Sequence, residues 1–259
     1  MGEKKNKDKP NYPVKSLEKA LLILRLMIEE RQSLSLTEIG KKLNFGKGTV
    51  HRILATLRSH QFVRQDPKTL EYGLGFMAAE MSTAINAEDY IVKMITPHLK
   101  KLSESCAEAI SASVLEFNEI RYIARFESSE PLRVSIGEGA RFPAHCTATG
   151  KVLLAALSNE QLEKMYEGHK NIPTLTKKSI DSFTHLLEEL KRVRNENLAY
   201  DFEEALVGVK CVARPVADSN NKTFFAISIS GPVSRMTQQK MLKFARLLLD
   251  TSTTISIEL

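Results

Sequence analysis

The chain has 259 residues, of which 42% are hydrophobic and 26% charged, which suits two soluble domains with a core each and excludes a disordered polymer. Its formal charge of +6 is unevenly placed: residues 1–75 hold 15 Lys and Arg against 8 Asp and Glu, and the remainder holds 22 against 23. Apolar runs stay below about eighteen residues, the start is polar and Lys-rich, and Cys106, Cys146 and Cys211 lack C-x-x-C spacing, which argues against a membrane span, a secretory signal or a disulfide framework and for a reducing, cytoplasmic setting.

Residues 1–13 read as a flexible basic arm able to contact phosphate or the minor groove. Residues 14–75 read as a small domain. A first helix spans Ser16 to Glu30, with Ser16 as N-cap and Leu17, Leu21, Leu24 and Ile28 as the buried stripe. Ser35 and Glu38 have the S-x-x-E spacing of a capping box, opening a short helix whose apolar positions are Leu36, Ile39 and Leu43. Asn44-Phe45-Gly46 is a turn in which Gly46 is expected to take the positive φ. A second helix begins near Lys47 and buries Val50, Ile53, Leu54 and Leu57. Its other face presents Gly48, His51, Arg52, Ala55, Thr56 and Ser59, small or hydrogen-bonding groups that fit a major groove. Phe62–Gln65 and Leu70–Leu74, joined by Asp66-Pro67-Lys68-Thr69, form a hairpin in which Leu70, Tyr72 and Leu74 share a side. Helix, helix-turn-helix and wing, in a basic segment, point to a winged helix-turn-helix that binds double-stranded DNA. Its contacting residues are Ser35, Thr37, Lys47, Gly48, Thr49, His51, Arg52, Arg64 and Lys68. Arg52 donates to guanine or phosphate, Thr49 and His51 bond base edges or backbone, and Lys47, Arg64 and Lys68 neutralise phosphate.

Residues 76–96 read as a linker helix carrying Met77, Met81, Ile85, Ile91, Val92 and Ile95, ended by Pro97. It either pairs with a second copy or lies against its own domain. Residues 97–259 mix strands and helices. Strands are expected at Ala109–Phe117 and Ile120–Phe126 (a hairpin through Asn118-Glu119), at Leu132–Ile136 before Gly137-Glu138-Gly139, at Leu198–Phe202, at Val209–Val216, and at Thr223–Ser230 after the Asp218–Asn221 turn and before a break at Gly231-Pro232. Helices are expected at His98–Ser105, Thr149–Leu157, Glu160–Tyr166, Ser179–Asn195 and from Ser234 onward. The assembly is α+β, an antiparallel sheet with helices at its faces.

In this half a small-residue loop, Pro143-Ala144-His145-Cys146-Thr147, opens a helix whose first amides, at Ala148 and Thr149, suit an anion. Asp201 precedes Cys211 on one β element, and Ser228 and Ser230, two residues apart, share one strand face. Together these groups would suit a small organic acid bearing a hydroxyl or keto group. The alternative is that Ala148–Gly150 is a helix-packing site, the serines face solvent and Asp201 is a turn residue. His145 and Cys146, adjacent on extended backbone, would point apart and make a poor nucleophile–base pair. His145, Cys146, Asp201 and Cys211 could together bind a transition metal, though lone Cys and His more often fill cores. Neither a Gly-rich phosphate loop nor H-E-x-x-H nor paired carboxylates occur, which counts against a nucleotide-using or hydrolytic enzyme.

Six segments, VKSLEKALLIL, LSLTEIGKKLNFGKGTVHRILATL, YGLG, FPAHCTATGKVLLAAL, LAYDFEEALVGVKCVARPV and FFAISISGPVSR, make the chain from Val14 onward resemble the isocitrate-lyase-regulator (IclR) family of bacterial transcription factors. The resemblance implies a winged-helix domain, a linker helix and a GAF-like effector-binding and oligomerisation domain. It further implies a ligand-responsive repressor of a metabolic operon that forms dimers or tetramers and takes a small organic or aromatic acid as effector, while the residues themselves give no cofactor, metal or catalytic site to expect. By position it assigns the effector to Ala148, Thr149, Asp201, Cys211, Ser228 and Ser230. Two departures stand out. Gly48 replaces a usual Ser before Thr49-Val50, and Leu198 replaces a usual Gly before Asp201.

Overall fold

The computed structural model describes residues 14–84, 87–137, 139–167, 172–218 and 222–259. The arm 1–13, Ile85 of the expected linker stripe, Glu138, and Ser219 to Asn221 of the expected turn lie outside the described residues. Contacts divide the chain into two compact units between Ala87 and Glu88.

In the first unit, α1 (Lys15–Glu30), α2 (Leu36–Leu43) and α3 (Lys47–Ser59) close on β1 (Val63–Gln65) and β2 (Tyr72–Leu74), followed by α4 (Phe76–Ala84). The sequence assigns α1 the wrong face. Ile23, Leu26 and Met27 are buried, whereas Leu17, Leu21 and Ile28 are each more than half exposed, and Val14, not Ser16, is the N-cap. The cause is surplus: the helix carries more apolar residues than one face needs, so two stripes compete, and the one that meets Val50 and Leu54 is buried. The α2 capping box forms as expected, with the Ser35 hydroxyl accepting from the Glu38 amide at 3.3 Å and Glu38 accepting from the Ser35 amide at 2.8 Å. The turn after it differs. Asn44 holds the left-handed conformation (φ 54°), while Gly46 is the extended N-cap of α3. Asn tolerates that region because its amide bonds locally, so glycine is not required there. In the hairpin, Val63, Arg64 and Gln65 pair with Leu74, Gly73 and Tyr72, and Leu34 bridges to Tyr72. Leu70 is not in the strand: it sits exposed at φ 62°, so it does not share a face with buried Tyr72.

In the second unit, α5 (Ala87–Cys106) runs straight through Pro97. Proline removes one helical hydrogen bond, but Pro97 is exposed, so water can satisfy the released carbonyl, and Ile95, Leu99 and Leu102 bury the opposite face. Next come β3 (Ala109–Glu116), β4 (Glu119–Phe126), β5 (Arg141–Pro143), a single 3-10 turn (Ala144–Cys146), α6 (Ala148–Ala155), α7 (Asn159–Met165), α8 (Phe183–Glu196), β6 (Ala199–Phe202), β7 (Val209–Ala217), β8 (Thr223–Pro232) and α9 (Gln238–Glu258). The sheet is antiparallel in the order β5-β4-β3-β8-β7-β6. Residues 132–136 form no strand; the edge strand is β5, which pairs with the start of β4. The β3–β4 hairpin turns at Phe117-Asn118, with Phe117 at φ 55°, and Glu119 belongs to the strand. Gly231 and Pro232 continue β8 rather than break it, because Pro232 is its last residue, where a missing amide costs little.

The alternation of strand side chains builds two cores. Val212, Ile227 and Ile229 face α5 and α9, meeting Leu99, Phe244 and Leu248. Ala213 and Ala226 face α6 and α8, meeting Val152, Leu186 and Leu190. Where β4 pairs with β5, Arg121 makes a fork to Glu88 in the first turn of α5 (2.9 and 2.5 Å) and bonds Glu116, which also receives Arg141.

Candidate functional site

The first unit presents an exposed polar face on α3. Lys47, Gly48, His51 and Arg52 are exposed along it, Thr49 is half-buried, and Thr37, Arg64 and Lys68 are exposed on the neighbouring elements. Two hydroxyls of this face are already spent: Thr56 donates to the Arg52 carbonyl at 3.1 Å and Ser59 to that of Thr56 at 2.8 Å. Ser35 is likewise engaged, its hydroxyl donating to Glu38 at 2.7 Å within the cap. The wing tip is ordered by Asp66, whose carboxylate accepts from the amides of Lys68 (2.7 Å) and Thr69 (3.0 Å); those amides hold its carboxyl below the usual range. Arg58, which sequence reasoning missed, donates to Gln65 at 2.7 Å and ties α3 to the hairpin.

In the second unit, Ala148, Thr149, Asp201, Cys211, Ser228 and Ser230 all line one cavity. The register explains why. Asp201, Cys211 and Ser230 are cross-strand partners on β6, β7 and β8, and Ser228 lies two residues from Ser230 on the same face. Above this floor stands the start of α6, capped by Thr147, whose hydroxyl accepts from the Gly150 amide at 3.0 Å. A helix's first amides lack intrahelical partners, so Ala148 and Thr149 bring donors to the cavity wall. Gly150 brings α6 this close: a Cβ there would lie 2.1 Å from the Ala144 carbonyl oxygen. Sequence reasoning missed the remaining lining: Thr147, the Tyr122 and Phe142 rings, meeting edge to face at 6.2 Å, the aliphatic Val134 and Ile136, and Ala205, Leu206 and Val209. The space between these walls is about that of a water molecule or two.

The polar floor has unusual electrostatics. Asp201 is buried, with its carboxylate accepting from the Glu204 amide at 2.6 Å. Burial, opposed by that amide and reinforced by the Glu204 charge, pushes its carboxyl up to about 7. Burial, followed by the Asp201 charge, drives the Cys211 thiol far above the range in which thiolates form, so it acts as a neutral, weakly polar wall. Beside them Lys151, also missed, is 1% exposed and reaches Glu204 at 2.7 Å and Glu189 at 3.3 Å.

His145 and Cys146 do not line the cavity. They lie in the 3-10 turn rather than on extended backbone, so they do not diverge. His145 Nε2 donates to the Pro173 carbonyl at 2.7 Å, and the Cys146 thiol approaches the same oxygen at 3.9 Å. Among the described residues, no group of three or more His, Cys, Asp or Glu is arranged to hold a metal ion. No helix of the described residues is long and apolar enough to cross a membrane.

Residues 83–257 match the family described as bacterial transcriptional regulator IclR C-terminal, and residues 16–67 match the IclR helix-turn-helix domain. The chain is 29% identical over 246 residues to the transcriptional repressor IclR of Escherichia coli K12, covering 94% of this chain and 89% of that protein. Its fold resembles that of the Thermotoga maritima IclR, with a TM-score of 0.61 at 23% identity over 95% of this chain and 99% of that one. The second unit is similar to the inducer-binding domain of PobR from Acinetobacter, solved as a double mutant in complex with 3-hydroxybenzoic acid, with a TM-score of 0.59 at 29% identity over 63% of this chain and 96% of that one.

Proposed function

We propose, because the chain belongs to the IclR family of bacterial transcriptional regulators, that its first unit reads an operator and its second unit answers to a small acid. The protein is a DNA-binding transcriptional regulator, not an enzyme. It acts as a repressor of a metabolic operon, in the cytoplasm, and the effector sets how much of it is competent to bind DNA. The observation that carries this reading is the convergence of Ala148, Thr149, Asp201, Cys211, Ser228 and Ser230 on one cavity. Helix-start donors, two hydroxyls, a carboxyl near neutrality and two aromatic walls suit a hydroxy, keto or aromatic acid. Arg52, Lys47, Thr49 and His51 on α3 contact the major groove, with Arg64 and Lys68 of the wing on phosphate.

The protein acts as a dimer or a higher oligomer. The exposed stripe of Leu17, Leu21 and Ile28 on α1 supports this, since three large apolar side chains in line on a surface helix suit a second copy better than water. A thermal-shift screen of small organic acids, followed by gel-shift titration on the DNA upstream of the protein's own gene and its neighbours, tests the reading. The expected result is an acid that raises the melting temperature and changes DNA affinity. An acid that stabilises the protein while leaving DNA affinity unchanged at saturation would refute the coupling.

A further inference from the structure

The polar groups of the cavity floor do not account for the charge an acid would bring. Asp201 is acidic, the serines are neutral and Lys151 is engaged by two carboxylates. A cation stands beside the floor. Arg125 of β4 is opposite Ser111 of β3, which is opposite Ser228 of β8, so Arg125 and cavity-lining Ser228 occupy one cross-strand row, two strands or roughly 10 Å apart. The Arg125 side chain is 3% exposed. Its Nη1 donates to the Ser111 hydroxyl at 3.0 Å and its Nη2 to the carbonyl of Val134, a cavity wall, at 2.5 Å. Its guanidinium carbon lies 6.0 Å from the centroid of the Tyr122 ring, another wall. Its acidic partner, Glu127, meets Nε at 2.8 Å from the solvent side and is 43% exposed.

These contacts have two effects. The hydroxyl of Ser111 accepts from Arg125, so its own proton is free to point along the row toward Ser228. The charge also reaches the cavity: burial raises the Tyr122 phenol and the Cys211 thiol, and Arg125 opposes that rise in both. In a low-dielectric site a fixed cation favours an anion over its neutral isostere.

We propose that Arg125 determines the preference of this cavity for a carboxylate over the corresponding amide, acting through Ser111 and the Val134 carbonyl without lining the cavity itself. The assignment rests on the reading of the cavity as a small-acid site. Arg125 is a positioning and specificity residue, and Glu127 tempers it from outside.

The test uses the full-length protein and probe pairs of equal shape: benzoate with benzamide, 3-hydroxybenzoate with 3-hydroxybenzamide, and lactate with lactamide, titrated by thermal shift and calorimetry. In the wild type at least one acid binds better than its amide. Arg125→Gln weakens that acid roughly tenfold or more and leaves the amide unchanged, Arg125→Lys restores part of the preference, and Glu127→Gln, at an exposed position, strengthens the acid alone. Should Arg125→Gln fail to fold, the Glu127→Gln result decides. Equal acid binding in wild type, Arg125→Gln and Glu127→Gln overturns the role of Arg125 and leaves the small-acid reading standing. A wild type that binds none of the acids, or prefers the amides, overturns that reading and this assignment with it.

Discussion

Gly48 sits at the second position of α3, where an added Cβ would meet nothing within 4 Å, so packing does not impose its missing side chain. Gly48→Ala is therefore expected to raise stability by up to about 1 kcal/mol, seen as a higher denaturant midpoint at unchanged slope. Any loss of DNA affinity in that variant would then belong to the interface alone. Arg52, exposed on the same face, should behave differently: Arg52→Ala weakens operator binding by about 1 to 3 kcal/mol and relaxes base preference, whereas Lys68→Ala weakens all sequences alike and lowers the salt slope by about one, both read by gel shift across salt. Asp201 makes a prediction of another kind. Its carboxyl is raised from 3.8 to about 7, so the folded state binds its proton more tightly than the unfolded chain. The stability this confers is complete below pH about 4 and is lost as pH rises through about 7, on the order of 4 kcal/mol in all. Asp201→Asn, which cannot ionise, should flatten that decline in urea melts recorded between these limits. Some of this site is legible in the sequence. Ser228 and Ser230 share a face because strands alternate, and Ala148-Thr149 opens a helix after a small-residue loop. The residues alone group Asp201, Cys211 and the serines in advance, and the family resemblance assigns the same set, but the reading puts Asp201 and Cys211 on one β element, whereas they are partners on adjacent strands, a matter of register that composition does not encode. Lys151 carries no signal, since a lysine inside an apolar helix ordinarily faces water.

At the level of elements, α6 depends on one close approach. In Gly150→Ala the new Cβ would overlap the Ala144 carbonyl, so the helix must back away from the 3-10 turn that precedes it. The expected cost is about 1 to 3 kcal/mol, measurable by thermal melting, together with loss of acid binding as the Ala148 and Thr149 amides leave the cavity wall. The walls of that cavity differ in rigidity: Tyr122 and Phe142 belong to the sheet, whereas Val134 and Ile136 come from chain without regular structure. With so little space between them, an acid of several heavy atoms enters only if walls part, and the irregular segment parts most cheaply. Hydrogen exchange at residues 131–137 should slow on acid binding, and exchange unchanged there at saturation would show that other walls give way. The same distinction explains what the sequence reading misjudges. Periodicity locates α2, α3, α8 and the long strands, where apolar positions are just enough for one face. It fails on α1, which has two apolar stripes, and on residues 132–136, whose β-like composition serves a cavity wall. At Pro97 and Pro232, burial of neighbours and position in the ladder decide the outcome.

The whole molecule consists of two compact units, each with its own core. Calorimetry should therefore resolve two transitions. An acid effector and Gly150→Ala should move only the one belonging to residues 88–259, in opposite directions, and Gly48→Ala only the other; a single transition displaced by all three would mean the units melt together. The division of charge seen in the sequence agrees with this arrangement, the basic excess falling on the unit that carries α3. One contact gives the division a mechanical meaning. Arg121 precedes Tyr122 on β4, and consecutive strand residues face opposite sides, so the residue that walls the cavity and the residue that grips Glu88 share a single peptide unit. Glu88 is where the second unit starts. Arg121 thus anchors the first turn of α5 to the same stretch of β4 backbone that supplies a cavity wall, so the start of the second unit and its cavity are fixed to one strand.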